Sequence, residues 1–278
     1  MHGTIGEHVR DGTARLEKAG IPTPQDDTVI LLAHVLQLDR TRLLAQHEDQ
    51  LTTLQLATFL NAMDQRALRV PVSQILGKRA FWKHEFQISN AVLDPRPDTE
   101  TLVEAALTTH FDSVLDLGTG SGCILLSLLA EREQATGLGV DCSRKALDVA
   151  KANRAALELT ERATLQHSDW FSTVEGRFDL IVSNPPYITD AAFEMLAPEV
   201  KEHEPRIALT PGGDGLAAYR AITRKAAAYL NPQGRLLVEI GFDQGKPVSG
   251  LFEEAGFSQI RVLPDLNGKD RVVAAKIR

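Results

Sequence analysis

Apolar residues recur at helical spacing through the first 75 residues of the chain. Side chains three and four positions apart lie on one face of a helix, so these stripes predict amphipathic helices around a small core. Thr52 or Thr53 is suited to cap the third helix. The pattern predicts a helical domain over residues 1–75. The stripes are Ile5, Val9 and Leu16; Val29, Leu32, Ala33 and Leu36; and Leu56, Phe59, Leu60 and Met63.

Beyond this region, a short aromatic segment leads into alternating strands and helices. Alternation at residues 81–86 predicts a hairpin, inside a linker over residues 76–95. Strands that alternate with helices predict a parallel sheet covered on both faces. Residues 96–278 should therefore form an α/β, doubly wound sheet of seven strands. The predicted strands are 113–117, 137–140, 163–166, 178–183, 234–240, 259–263 and 271–276, and the helices are 123–132, 143–157, 216–230 and 244–255.

The end of the chain breaks the parallel pattern. Only residues 264–270 separate the last two predicted strands, which is too few for a helical crossover. Parallel strands need a connection of about a dozen residues or more, so these two should pair antiparallel. The sheet is therefore expected to end in an antiparallel hairpin.

The charge of the chain bears on which partners it can have. The 278 residues carry a formal net charge of −7. Residues 1–90 hold 10 basic and 10 acidic side chains, so the whole excess lies in residues 91–278. A DNA-binding protein normally neutralises phosphates with a basic face. We therefore expect no DNA partner.

Cysteine content and hydropathy exclude several other classes. Cys123 and Cys142 cannot form a disulfide framework, and neither has a Cys or His at metal-ligand spacing. None of the eight histidines lies in a nucleophile or metal motif. We also find no signal-peptide core and no apolar run near ~18 residues. We expect a cytoplasmic monomer without a metal and without a membrane partner.

A glycine-rich loop follows the first strand of the sheet and leads directly into a helix. Glycines allow the backbone to turn sharply and to approach a ligand, and free N–H groups face a ligand at a helix start. Ligands of open α/β sheets bind at this end of the strands. A dinucleotide fingerprint would require a smaller residue than Cys123 at its third small position. The loop consists of Gly118, Thr119, Gly120, Ser121 and Gly122.

The next strand ends at Asp141, whose carboxylate is placed to accept both hydroxyls of a ribose. The alternative role for Asp141 is an N-cap of the helix that begins near Ser143. With the preceding loop, the ribose interpretation predicts a cofactor that carries adenosine but no pyrophosphate.

The fourth strand ends in Asn184-Pro185-Pro186-Tyr187. Two consecutive prolines remove two backbone donors, so the carbonyl acceptors here have no local N–H competitor. Asn184 adds a side-chain carbonyl, and Tyr187 adds an aromatic face. The segment therefore offers acceptors for a planar –NH2 group beside a ring that can pack on it.

The loop and the Asn-Pro-Pro-Tyr segment together resemble class I S-adenosylmethionine methyltransferases that modify planar exocyclic or amide nitrogens. Further motifs extend the resemblance over essentially the whole chain to one family, the release factor glutamine methyltransferases (PrmC or HemK). The helical N-terminal part is similar in kind more than in motif. The motifs are residues 95–100, 168–171, 204–206, 213–220, 239–241 and 265–271.

This resemblance implies a Rossmann-like methyltransferase domain, S-adenosylmethionine as cofactor and S-adenosylhomocysteine as product. Residues 118–122 would line the methionine part, Asp141 would hold the ribose, and Asp169 and Trp170 would flank the adenine. Residues 184–187 would hold the substrate amide. Asn184, Pro185 and Tyr187 are the expected catalytic residues, and Asn184 is also assigned to the cofactor site.

Two nearby positions are less clear from the sequence. This chain has Asp94 where the family commonly has an apolar residue before Pro-Arg-Pro, which puts the local packing there in doubt. Glu100 is placed either to reach the pocket or to cap, with Asp98 and Thr99, a helix running to His110.

The resemblance implies methylation of the side-chain amide of the glutamine in the Gly-Gly-Gln motif of bacterial or organellar peptide chain release factors. The helical domain would dock the release factor or, alternatively, only cover the pocket side of the sheet. Two other functions remain open. One is an adenine-N6 DNA methyltransferase, which uses the same acceptors but needs a basic target-reading region. The other is a non-catalytic protein that binds an adenosine ligand.

Overall fold

The structure, a computed structural model, describes residues 3–277, with the side chain of Leu44 left out. The chain divides into two compact units. The first unit runs to Gly77 and also includes Ala197–His203, and the second comprises Lys78–Leu196 and the residues from Glu204 onward. Within residues 3–277, no helix is both long and apolar enough to cross a membrane.

The first unit is helical, as the apolar stripes predict. Thr52 caps its fourth helix, and its side chain and that of Gln55 form a reciprocal capping box. The third and fifth helices are too short to show a periodic pattern and were not predicted. The helices are α1 (Ile5–Lys18), α2 (Pro24–Leu36), α3 (Arg40–Ala45), α4 (Thr53–Ala67) and α5 (Val72–Leu76), and α10 (Pro198–His203) joins them from later in the chain.

The core of the first unit is built from the predicted stripes. Leu16, Leu32 and Phe59 are fully buried in it, whereas Leu60 is 44% exposed, so its prediction as a core residue was wrong. Leu60 lies beyond the edge of the buried stripe because Phe59 and Met63 take the inward positions of α4.

Buried charges also hold the first unit together. The Arg66 guanidinium lies 2.6 Å from the Asp27 carboxylate and 3.4 Å from that of Glu199. Arg69 pairs with Glu199 at 3.0 Å. These pairs, and a hydrogen bond from the Gln74 amide to the carbonyl of His203, attach the Ala197–His203 segment to the helices.

The second unit opens with the predicted hairpin and continues into an α/β sheet. Its helices and strands occur in the following order: β1 (Lys78–Phe81), β2 (His84–Gln87), α6 (Glu100–Leu107), β3 (Ser113–Leu117), α7 (Cys123–Glu131), β4 (Thr136–Asp141), α8 (Arg144–Ala156), β5 (Ala163–His167), β6 (Phe178–Ser183), α9 (Asp190–Glu194), α11 (Arg206–Leu209), α12 (Ala217–Ala226), β7 (Leu230–Glu239), α13 (Gly245–Glu254), β8 (Ser258–Pro264) and β9 (Asp270–Lys276). Short 3-10 turns at Pro97–Thr99 and Ala227–Tyr229 precede α6 and β7.

The sheet has seven strands in the order β5-β4-β3-β6-β7-β9-β8. Strands β3 to β7 are parallel, and β9 pairs antiparallel with both β7 and β8. The predicted doubly wound sheet with an antiparallel hairpin is confirmed. The chain order reverses between β3 and β6, and at such a switch point a crevice opens beyond the carboxyl ends of the strands.

Helices cover both faces of the sheet. One face packs against α6, α7 and α8, and the other against α12 and α13. At Gly137 of β4, a Cβ would lie 2.6 Å from Leu125 Cδ1, so glycine allows α7 to pack closely on the strand. The predicted helix to His110 was too long, because α6 ends at Leu107, where Arg235 binds the carbonyls of Ala106 and Thr109.

Candidate active site

A cavity of about 440 Å³ lies at the carboxyl ends of β3 to β6. The loop before α6 and residues 205–211 contribute further walls. Gly122, Pro185 and Tyr187 lie outside its lining. The predicted site residues that line it are Gly118, Thr119, Gly120, Ser121, Asp141, Asp169, Trp170, Asn184 and Pro186.

The three glycines of the loop after β3 have positive φ angles of 73°, 56° and 81° at Gly118, Gly120 and Gly122. No protein atom lies within 4 Å of a Cβ built at Gly118 or Gly120. Because glycine has no side chain, this space stays open to the cavity. At Gly122, a Cβ would lie 3.0 Å from Leu126 Cδ1. Gly122 therefore serves the packing of α7, while the other two keep the cavity open.

The backbone donors of this loop are largely used within the protein. The N–H groups of Gly118 and Thr119 both donate to the Val140 carbonyl at 2.9 Å, and that of Gly122 donates to the Thr119 carbonyl. These N–H groups precede α7, which begins at Cys123, so free N–H groups at the helix start stay a prediction. Because phosphate binding depends on free donors, this part of the loop forms a wall and not a phosphate cradle.

Asp141 ends β4 and faces the cavity. Its Oδ2 accepts the N–H of Gly120 at 2.9 Å, and its Oδ1 accepts that of Ser143 at 2.8 Å. Burial raises the pKa of Asp141, and the two N–H groups oppose that shift. The N-cap of α8 is Ser143, whose hydroxyl accepts from Ala146, so the alternative of Asp141 as the cap was wrong. Each carboxylate oxygen retains a lone pair for a ligand hydroxyl.

A fully buried carboxyl group lies beneath the loop. Asp116 of β3 accepts a hydrogen bond from the Thr119 hydroxyl at 2.6 Å, and its other oxygen has no partner among residues 3–277. Burial raises the pKa of Asp116 to about 7. Sequence reasoning included Asp116 in the loop motif and gave it no role.

The segment after β5 forms a fixed turn at the edge of the cavity. Trp170 has a φ of 48°, in the left-handed region. The Ser168 hydroxyl donates to the Trp170 carbonyl at 2.8 Å and accepts from the N–H of Thr173. Asp169 is exposed at the cavity rim. The turn thus holds a flat aromatic ring, that of Trp170, beside the cavity.

The Asn-Pro-Pro-Tyr segment is held at both of its ends. The Asn184 amide nitrogen donates to the Thr99 hydroxyl at 3.2 Å. Pro185 is buried. The Tyr187 hydroxyl lies 3.3 Å from Glu239 Oε1, and its carbonyl accepts from the Gln244 side chain at 3.1 Å. Asn184 thus has its –NH2 group engaged by protein, which leaves its carbonyl oxygen as the acceptor on the cavity side.

Sequence reasoning missed the polar network behind this segment. Glu239, at the end of β7, is 1% exposed, and burial raises its pKa to about 7 against the lowering effects of Thr99, Arg271 and Tyr187. Arg271 of β9 pairs with Asp98 and with Asp265, each at 3.1 Å. Residues 239–241 and 265–271 were recognised as motifs, but sequence spacing could not reveal that they meet.

Glu100 and Asp94 have roles that the sequence left open. Glu100 accepts the N–H of Trp82 at 2.8 Å, is absent from the cavity lining, and makes no capping hydrogen bond for α6. Asp94 is buried beside Glu204, which pairs with Arg96 at 2.5 Å.

Among residues 3–277, no group of three or more His, Cys, Asp or Glu side chains is arranged to hold a metal ion.

The strand order and the cavity at the switch point define a class I methyltransferase fold. A methyltransferase structure from Pyrococcus furiosus has this fold, with a TM-score of 0.54 at 15% identity, and the match covers 81% of this chain and 98% of that one. The family model "PrmC N-terminal domain" matches residues 7–77, and "Methyltransferase small domain" matches residues 80–214.

Two relatives lead from this class to a family. The release factor glutamine methyltransferase of Cereibacter sphaeroides is 51% identical over 97% of both chains. That of Caulobacter vibrioides is 45% identical over 93% of this chain and 91% of its own. The chain belongs to the release factor glutamine methyltransferase family and is a methyltransferase.

Proposed function

We propose that this enzyme transfers a methyl group from S-adenosylmethionine to the side-chain amide nitrogen of the glutamine in the Gly-Gly-Gln motif of peptide chain release factors. The main support is the orientation of Asn184: its –NH2 group donates to Thr99, so its carbonyl oxygen remains to accept from a substrate amide. The names of the two relatives support the choice of substrate.

The lining of the cavity supports S-adenosylmethionine as the cofactor. Space is open at Gly118 and Gly120 for the methionine part. The Asp141 carboxylate suits two ribose hydroxyls, and the Trp170 ring with Asp169 suits an adenine. The occupied loop donors argue against a pyrophosphate-bearing cofactor. When bound, S-adenosylmethionine supplies an electrophilic methyl group on a sulfonium.

An amide nitrogen is a poor nucleophile because its lone pair is delocalised into its carbonyl. The residues after β6 can compensate for this low reactivity. In the proposed mechanism, Asn184 Oδ1 and the Pro185 carbonyl each accept one amide N–H. Orientation of this kind can supply roughly 7–11 kcal/mol of a bimolecular barrier. The same acceptors stabilise the positive charge that develops on nitrogen as the new C–N bond forms and the S–CH3 bond of the sulfonium breaks, with S-adenosylhomocysteine as the leaving group. The nitrogen then loses one proton to solvent.

For the protein substrate, we propose that the surface of the first unit docks the release factor. Exposed apolar side chains are available there, including Leu54 at 77% and Leu68 at 74% exposure. The balanced charge of residues 1–90 suits a protein partner better than a polyanion.

A labelling experiment tests the proposed function. The enzyme is incubated with methyl-labelled S-adenosylmethionine and, separately, with an unmethylated release factor or duplex DNA. We expect label on the release factor only. Label on DNA alone would favour an adenine methyltransferase, and cofactor binding without transfer to either would favour a non-catalytic protein.

Asn184→Ala provides the residue-level test. Loss of a preorganised contact of this kind typically costs a few kcal/mol, or roughly 100- to 1,000-fold in kcat. The affinity for S-adenosylmethionine, measured by calorimetry, should change little. Asn267→Ala, at an exposed position of the β8–β9 turn, is the control and should retain the normal rate. A near-normal rate for Asn184→Ala would refute the assignment.

A further inference from the structure

The Asn-Pro-Pro-Tyr segment cannot be held by backbone donors along its middle. The pairing of β6 with β7 reaches Ser183, and the N–H of Ile188 donates to the Leu209 carbonyl at 3.0 Å. Between these two points, Pro185 and Pro186 have no N–H group. The position of the segment therefore depends on groups that bind its carbonyls and its side chains.

One such group is the side chain of Gln244, which lies immediately before α13 and is 8% exposed. Its side-chain nitrogen donates to the Tyr187 carbonyl at 3.1 Å. Gly215 closes the same space, because a Cβ built there would lie 2.4 Å from the Tyr187 carbonyl oxygen and 3.1 Å from the Gln244 nitrogen. The Tyr187 carbonyl is thus enclosed by one side-chain donor and one glycine.

The two ends of the Gln244 amide are fixed by backbone groups. The N–H of Gly241 donates to Gln244 Oε1 at 3.0 Å. A backbone N–H can only donate and a backbone carbonyl can only accept, so these contacts identify the oxygen and the nitrogen of the amide. The buried Tyr219 hydroxyl lies 3.2 Å from the same oxygen. Gln244 therefore cannot turn over without losing the contacts at both ends.

The start of α13 does not explain the choice of glutamine. Helix N-caps favour Ser, Thr, Asp and Asn, whose side chains accept an N–H of the first turn. The Gln244 side chain makes no such hydrogen bond with α13. The backbone N–H of Gln244 donates to the Gly241 carbonyl at 2.9 Å, which closes the turn before the helix. The donor end of the side chain is left for Tyr187.

We propose that Gln244 is a positioning residue for methyl transfer, which holds the backbone of Tyr187 and so sets the place of the Tyr187 ring and of the preceding Pro185 carbonyl at the substrate amide. Gln244 lies outside the lining of the cavity and acts through Tyr187. This inference rests on the proposed function for its consequence in catalysis, and on contacts within the second unit for its geometry.

Two variants separate the donor end of Gln244 from the acceptor end. Gln244→Met keeps the length of the side chain and removes both ends. Gln244→Glu, studied at about pH 8.5 to ionise the carboxyl group, keeps an acceptor for Gly241 and removes the donor to Tyr187. We expect both to lower kcat on a release factor by about 10- to 100-fold, the order of loss for a misplaced reacting group. The Kd for S-adenosylmethionine should stay within about twofold of the wild type.

Gln74→Met is the matched control. The Gln74 side chain also donates to a backbone carbonyl, that of His203, at 2.8 Å, but it lies in the first unit. This variant should keep the wild-type kcat and the wild-type Kd for S-adenosylmethionine.

A spectroscopic measurement reports the Tyr187 contact without methyl transfer. The chain has three tyrosines, so tyrosine labelled with 13C at its backbone carbonyl gives three NMR signals. The Tyr187 signal is identified by its loss in Tyr187→Phe. We expect this signal to move in both Gln244 variants, because its carbonyl loses a hydrogen bond, and to stay in place in Gln74→Met.

Three results would overturn the proposal. A Tyr187 signal that does not move in Gln244→Met would reject the contact. A signal that moves while kcat stays within about twofold of the wild type would reject its effect on the barrier, because a tenfold change in rate corresponds to about 1.36 kcal/mol. Loss of S-adenosylmethionine binding together with kcat would assign Gln244 to the stability of the second unit. A wild-type enzyme that methylates no release factor would reject the proposed function, and the carbonyl signal would still decide the Tyr187 contact.

Discussion

Gly215 packs so closely against the backbone of Tyr187, in the proposed substrate site, that a side chain would not fit between them. It has a φ of 75°, and a Cβ built there would lie 2.4 Å from the Tyr187 carbonyl oxygen and 3.1 Å from the Gln244 side-chain nitrogen. Contacts tighter than 3.4 Å are rare for a real Cβ, so Gly215→Ala must move the Tyr187 backbone by about 1 Å. A shift of that size at a reacting group can cost on the order of 100-fold in rate.

Gly213 provides a matched control for Gly215. It also has a positive φ, 59°, but no atom lies within 4 Å of its Cβ position. Both alanine variants incur the left-handed strain of about 1–2 kcal/mol, and only Gly215→Ala incurs the collision with Tyr187. We expect a drop of about 100-fold in kcat for Gly215→Ala and a near-normal kcat for Gly213→Ala. The loss of thermal stability should be larger for Gly215→Ala, because its collision adds to the strain that both variants share.

Steady-state methylation of an intact release factor, with cofactor affinity measured by calorimetry, is the assay. The reasoning fails if Gly215→Ala retains a near-normal kcat, because the Tyr187 backbone would then not need its present position. It also fails if Gly213→Ala is equally slow, since strain alone would then explain the loss.

Three further predictions concern the cofactor, stability and docking. Asp141→Ala should weaken S-adenosylmethionine binding by about 1–3 kcal/mol, roughly 5- to 150-fold, in calorimetry; unchanged affinity would argue against the ribose role. Asp116 has a pKa of about 7 in the folded protein, against an ordinary 3.8. The folded state therefore binds the carboxyl proton more tightly than the unfolded state does. The stabilisation that comes from this bound proton is lost as pH rises through 7. From about pH 5.5 to 8, the unfolding free energy of Asp116→Asn should therefore improve relative to the wild type by about 2 kcal/mol in urea titrations; a difference independent of pH would contradict this. Leu54→Glu with Leu68→Glu should raise the KM for an intact release factor about tenfold and leave that for a short Gly-Gly-Gln peptide unchanged; equal effects on both substrates would contradict docking.

Much of the cavity could be predicted because its residues follow strands. Apolar runs identify β3, β4 and β6, and the alternation of strands and helices predicts that their carboxyl ends meet at one edge of the sheet. This places residues 118–122, Asp141 and Asn184 around a common space, and in the structure residues 118–121, Asp141 and Asn184 line the cavity. Local sequence was sufficient here because each of these residues is fixed by the end of its own strand.

The hydrogen-bonded and charged residues behind the cavity could not be predicted from the ends of strands. Thr99 and Asn184 are 85 residues apart, and nothing in the pattern near either one indicates their contact. Glu239 sits at the end of an apolar strand, so its burial among Tyr187 and Arg271 depends on the packing of β7 against β9. Residues 188–216 show no periodic pattern, and Ala197–His203 joins the first unit through the long-range pairing of Glu199 with Arg66.

The position of the transferred methyl group tests the central claim most directly. An unmethylated release factor is incubated with the enzyme and S-adenosylmethionine, digested, and sequenced by tandem mass spectrometry. The account predicts one methyl group on the side-chain amide nitrogen of the Gly-Gly-Gln glutamine, and none on a release factor in which that glutamine is replaced by alanine. A methyl group on any other residue, or on the alanine-substituted factor, would contradict it.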